Sequence, residues 1–183
     1  TADLRVQDYN MLRISSQIAA EDYIDIRFRL PSGLDYIVVS KKKVEIPQID
    51  GVDSANTIWL QLTEDEILAM SNAIVENYLI EGSVLYTAKY VEPGTQEKAT
   101  PTYVPSAEVQ SLMRDNDSNI VNTAKMALLT RYNSNTSVRD NINSSKNSVD
   151  VDDATSNISS GVKQEVSTAQ EQRQDYLDAL SGN

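Results

Sequence analysis

An α+β fold is predicted for this chain: a small antiparallel β domain with one or two helices over residues 1–115, then a long helical coiled-coil stem over residues 116–183. Three observations lead there. Apolar and polar residues alternate in short runs before about Tyr103. One of those runs leads directly into a helix-capping sequence. Beyond Asp117 proline is absent, glycine falls to Gly161 and Gly182, and sparse apolar residues recur at intervals of seven.

The first elements follow from periodicity. Leu4 to Ile18 reads equally as a strand or an extended arm. Ile24, Ile26, Phe28 and Leu30 alternate with charged neighbours, the period of two of a half-buried strand. Pro31-Ser32-Gly33 is a turn signal, so Leu34 to Val39 should return as the second strand of a hairpin. Val44 to Ile46 reads as a short strand stopped by Pro47, and Asp50 to Asp53 as a loop. Thr57 to Leu62 is a further strand, with Ile58, Leu60 and Leu62 on one face. Thr63-Glu64-Asp65-Glu66 is a capping box, and Ile67, Met70, Ile74 and Tyr78 behind it keep helical spacing, widened by Leu68, Val75 and Leu79. A helix is expected from Glu64 to Leu79, ended by Glu81-Gly82. Val84, Tyr86, Ala88 and Tyr90 alternate along another strand. A long polar turn leads to Thr102-Tyr103-Val104 as its partner, and a short helix should run through Met113. An immunoglobulin-like sandwich with a helical insertion fits the same pattern.

Hydrophobic content is 40%, enough for a modest core, but Trp59, Phe28 and most tyrosines precede Tyr103, so the core is expected in the first 115 residues. In the tail, Val121, Leu128, Ile142 and Val149 stand seven or fourteen apart, with Asn135 in the vacant position and Ala124 and Val138 three residues after their neighbours. That is an a/d heptad pattern, in which a buried Asn at 135 would set register at a cost in stability. Val162, Ala169 and Tyr176 form a second series, with Ile158, Val166 and Leu180 as companions. The slip between the series predicts a break or a change of supercoil near Asp150 to Ser156. Ser, Thr and Asn dominate residues 133–160 and are poor helix formers, so the alternative is a disordered tail. An ordered one needs packing partners. The oligomerising residues are therefore expected to be Val121, Leu128, Asn135, Val138, Ile142, Val149, Ile158, Val162, Ala169 and Tyr176, in a homo-oligomer for which a trimer is the first choice.

Chemistry has little purchase in this composition. The chain lacks cysteine and histidine, which removes thiolate nucleophiles, the commonest metal ligands and the commonest general base. No catalytic, cofactor-binding or metal-ligating residues are assigned, and no enzyme is expected. A net charge of -11 argues against nucleic acid. The basic run Lys41-Lys42-Lys43 reads as a solvated turn or a charged strand edge. No apolar run approaches membrane-spanning length, and no signal peptide is recognised. Three acidic clusters have plain readings. Glu64, Asp65 and Glu66 suit a helix N-terminus. Asp150, Asp152 and Asp153 lack the glycine and distal glutamate of a calcium loop. Glu21, Asp22 and Asp25 suit the solvated start of a strand. Tyr86 and Tyr90 share a strand face, read as core packing ahead of a carbohydrate platform.

A compact β domain followed by a Ser/Thr/Asn-rich helical stem resembles the particle-anchored end of a bacteriophage fibre or baseplate protein, the upper baseplate proteins of siphophages in particular. Their strand, loop, strand pattern ending in a glycine and a tyrosine-bearing strand corresponds here to Ile58 to Leu62, Gly82, and Tyr86 to Tyr90. The resemblance implies a virion structural protein made in the host cytoplasm. Its N-terminal domain would dock on a tail, collar or head protein through the exposed parts of Ile24 to Val39 and Ile58 to Leu62. Its stem would oligomerise and project a host-attachment region. A head-decoration or connector subunit with an extended arm, and a cell-surface adhesin fragment with a helical stalk, remain as alternatives.

Overall fold

The computed structural model describes residues 3–115, 123–147 and 151–181. It is an α+β fold in which one five-stranded antiparallel sheet is packed against helices. In chain order the strands are β1 (Arg5–Tyr9), β2 (Tyr23–Arg29), β3 (Asp35–Glu45), β4 (Gln48–Ile49), β5 (Val52–Asp53), β6 (Ile58–Leu62) and β7 (Val84–Lys89). The helices are α1 (Glu64–Leu79), α2 (Ala107–Asp115), α3 (Thr123–Ser134), α4 (Thr136–Asn147) and α5 (Val151–Ser181). The main sheet runs β1-β6-β3-β2-β7, and β4 with β5 forms a separate small hairpin. No second layer of sheet faces the first among the described residues, so the sandwich alternative does not apply.

The alternating runs behave as expected. Ile24, Ile26 and Phe28 of β2 and Ile58, Leu60 and Leu62 of β6 are buried. The turn closes through Gly33 at φ 92°, a conformation that glycine adopts without steric cost. It pairs Arg29 with Asp35 and Phe28 with Tyr36. β3 continues to Glu45, merging two expected strands into one. It bends where Ser40 and Lys41 together oppose the single residue Asp25, a β-bulge. Lys41 sits at φ 48°, and Asp25 supports it by accepting the Lys41 N–H at 2.9 Å and the Tyr90 hydroxyl at 2.8 Å. Asp25 is thus buried, not part of a solvated strand start. The three lysines lie within the middle strand of the sheet rather than on an edge. Lys42 meets Glu66 at 2.6 Å, and Lys43 pairs with Glu21.

β1 settles the ambiguous N-terminal run by pairing antiparallel with β6, Arg5 opposite Leu62 and Tyr9 opposite Ile58. α1 opens with both halves of its capping box: the Glu66 N–H donates to Thr63 Oγ1 at 3.3 Å, and the Thr63 N–H to Glu66 Oε2 at 2.9 Å. Its buried stripe is Ala69, Met70, Ala73 and Glu76, while Val75 is exposed. Thr102 to Val104 does not join the sheet as a strand. The Thr102 and Tyr103 N–H groups converge on one carbonyl, Ile37, at 2.9 Å each, and Pro101 and Pro105 on either side have no N–H for a ladder. Tyr103 instead drops into the core, its ring edge-on to Phe28 with centroids 6.0 Å apart.

The core crosses the boundary expected at residue 115. Leu129 and Tyr132 of α3 and Ile142 of α4 are buried in the same cluster as Phe28, Met70 and Tyr103. Among the described residues no long free coiled-coil stem is seen; three helices fold back on the β domain. Asn135 is exposed in the turn between α3 and α4, where its N–H donates to Tyr132 O at 3.1 Å and its side-chain amide to Arg131 O at 2.9 Å. Asn readily makes such local backbone bonds, so it ends a helix here instead of lying in a seam. α5 runs unbroken from Val151 to Ser181, so the expected phase slip does not interrupt the helix between Val151 and Ser156.

Candidate functional site

The buried face of α1 carries a carboxylate into the core. Glu76 is 1% exposed and is reached from α4 and from the irregular segment that carries Tyr103. Arg139 of α4 donates Nη1 to Glu76 Oε1 at 3.0 Å and Nη2 to Oε2. Lys146, two turns further along α4, places Nζ 2.8 Å from Oε2. The Tyr103 hydroxyl donates to Oε1. Arg139 also donates to Val104 O at 3.0 Å and is steadied by Asn143 Oδ1 at 2.9 Å. Residues 139, 143 and 146 recur at helical spacing and so share one face of α4 with Ile142.

The electrostatics follow from this crowding. Burial pushes the Glu76 carboxyl up, but the hydrogen bond and charge of Arg139, with Lys146 and Tyr103, outweigh it and hold the group below its ordinary range. Burial, then the neighbouring Glu76 charge, push the Tyr103 phenol well up. These donors all converge on one carboxylate inside the core, an arrangement that clamps α4 onto α1.

α5 is attached by different means. Gly161 lies against Tyr78: a Cβ there would stand 2.5 Å from the ring carbon Cδ1 and 2.8 Å from Cγ. Glycine weakens a helix interior by roughly 1 kcal/mol, and here it permits the close approach. The Tyr78 hydroxyl donates to Glu165 Oε2 at 3.0 Å, and Asn10 Nδ2 to Glu165 O at 2.9 Å. Burial, then the Glu165 charge, push the Tyr78 phenol up. Further along, Gln172 accepts from the Thr57 hydroxyl at 2.6 Å and donates to Ser54 Oγ at 3.2 Å. The face that α5 turns to its own domain is therefore small and polar. Apart from the half-buried Ile158, the large apolar residues described on α5 are elsewhere: Val162 is 46% exposed, Val166 49%, Tyr176 51% and Leu180 61%. With Ala169 and Arg173, also exposed, they form a seam stepping four, three, four, three and four residues, the spacing of a narrow a/d stripe.

The expected oligomerisation residues thus divide. Leu128 and Val138 are half-buried against the chain's own core and Ile142 is fully buried there; Asn135 is exposed in a turn. Ile158 is half-buried, whereas Val162, Ala169 and Tyr176 are exposed on α5. Val121 and Val149 lie outside the described residues. Of the expected docking faces, Trp59 of β6 and Leu34 of the turn between β2 and β3 are exposed.

The acidic cluster at the start of α1 has structural employment, whereas Asp150 of the later cluster lies outside the described residues. Glu66 caps α1 and pairs with Lys42, while Asp65 lies 3.7 Å from Lys125. These residues border a groove of about 1030 Å³ between the start of α1, residues 98–101 and α3, lined by charges of both signs. Tyr86 and Tyr90 do not form a shared platform. The Tyr86 hydroxyl bonds Asp35, with the Arg29 guanidinium 5.3 Å above its ring, whereas Tyr90 is buried against Asp25.

Sequence reasoning missed the Glu76 clamp and the role of Gly161. A glutamate in helical step with Ala69, Ala73 and Ile80, and a lone glycine inside a proline-free helical tail, were the available signals. No family model, curated protein or solved structure matches the chain.

Proposed function

We propose that the chain is a non-enzymatic structural subunit of a bacteriophage virion, a fibre or baseplate component. Its β domain docks on the particle, and its C-terminal helical region associates with further copies beside a host-attachment region. The observation that carries this reading is the orientation of α5. The helix bonds its own domain through polar side chains and leaves its apolar seam outward, the disposition of an assembly element. Trp59, exposed on β6, and Leu34, exposed in the turn between β2 and β3, are the candidate docking residues. The partners are other virion proteins and copies of the same chain; nucleic acid, membrane and cofactors have no part.

The fold-back of α3 and α4 favours a second reading, a head-decoration or connector subunit. In that case the compact body sits on the particle and α5 lies along a neighbour. Both readings expect the chain in density-purified particles from its source, at a fixed copy number by quantitative mass spectrometry. Labelled antibody in electron micrographs would decorate tail or baseplate for the first reading and head or connector for the second. Absence of the chain from intact particles would overturn both.

A further inference from the structure

We infer that the exposed seam of α5 is occupied by α5 of a second copy of this chain, running antiparallel about a two-fold axis. The inference rests on reading the seam as an assembly surface. The spacing defines what fits it. Val162, Val166, Ala169, Arg173, Tyr176 and Leu180 alternate between d and a positions, so the complementary partner is another heptad helix.

Packing and charge select its direction. A parallel pair stacks each residue on itself: Arg173 faces Arg173, like charges in one layer, and Ala169 faces Ala169, leaving a gap. An antiparallel pair sets a positions against d positions. Val162 then meets Leu180, Val166 meets Tyr176, and Arg173 meets Ala169, whose methyl leaves room for the arginine stem to pass to solvent. Each layer combines a large residue with a smaller one, and no cation faces another. The interface is self-complementary, as a two-fold axis requires.

The flanks of the seam limit the number of strands. Glu165 and Gln172 line one side of it and are bonded to Tyr78, Thr57 and Ser54 of the chain's own domain. A three-stranded bundle buries both flanks of every helix more deeply than a pair does, and here only the side of Lys163, Gln170 and Leu177 is fully open. Two copies, not three, satisfy this geometry.

The full chain contains no cysteine, which makes the test direct. Val162→Cys and Leu180→Cys replace exposed residues about 27 Å apart along the helix at 1.5 Å per residue. Each variant is oxidised alone and as an equal mixture, with circular dichroism and light scattering on every sample. The expected result is a mass twice the 20.3 kDa of one chain and a disulfide-linked dimer formed in the mixture alone. Val166→Asp is expected to weaken self-association more than about tenfold, since the change enters both symmetric halves, while helicity of the separated subunit persists. Self-linking by Leu180→Cys alone, or a trimeric mass, would overturn the antiparallel pair and leave the seam as an assembly surface. A monomer at millimolar concentration would overturn a second copy as its occupant, and the particle assignment would still be judged by particle composition.

Discussion

Glu76 shows how much one side chain governs. An ion pair buried this deeply is held by mutual compensation, and removing one partner strands a charge in the core. Replacing both cations, Arg139→Met with Lys146→Met, is therefore expected to lower unfolding free energy by about 3–5 kcal/mol in chemical denaturation. Joint replacement of Glu76, Arg139 and Lys146 by methionine should recover most of that loss, because no charge is left behind. Acid provides a second check. The folded-state carboxyl titrates below its ordinary value of 4.5. Its contribution to stability is complete above that value and is lost as pH falls through the lower, folded one. Urea midpoints between pH 7 and pH 3 should show this fall, and the triple-methionine variant should show less of it. Thr63→Ala removes the hydroxyl half of the capping box and should cost about 1 kcal/mol.

At the scale of elements, α5 is held by a narrow set of contacts, and Gly161 is the position that tolerates least. Gly161→Val would drive a branched side chain into the Tyr78 ring. Helix α5 should detach while the sheet stays folded, seen as faster amide exchange along residues 158–172 with the protection of β2 and β6 unchanged. If α5 exchange stays slow, the close contact is not what seats the helix. The elements also differ in how plainly the sequence announced them. β2, β6 and α1 were legible because alternation and capping are local, set by neighbours within four residues. The bulge at Ser40 and Lys41 was not, since it depends on Asp25 across the sheet. Ile142, buried in the chain's own core, shows a related limit. A residue repeating every seven faces one side of a helix, but the period does not say whether that side meets another chain or its own domain.

For the whole molecule, the shared core predicts that residues 1–115 are not self-sufficient. Cutting there removes Leu129, Tyr132 and Ile142 from the hydrophobic cluster and both cations from Glu76. Such a fragment should melt at a markedly lower temperature than the full chain, or fold only in part, by circular dichroism and calorimetry. A fragment ending at residue 147 keeps both cations and the three apolar groups, and should regain most of the difference. The α+β class was readable from the sequence because strand and helix periods are distinct. The union of the two regions was not, since Glu76 and Arg139 are 63 positions apart and no local pattern links them.

The separation of Glu76 from Arg139 also orders events during synthesis. A ribosome delivers α1 long before α4, so the Glu76 carboxylate must wait in water and the helix face that carries it cannot seat in final form. Nascent chains halted before residue 139 should accordingly be cut readily by protease, and chains halted well beyond residue 147 should resist. The outward seam of α5 emerges later still, after the body of the subunit has its last core residue. Neighbouring nascent chains on one messenger thus do not present this apolar seam to one another until each has closed on itself.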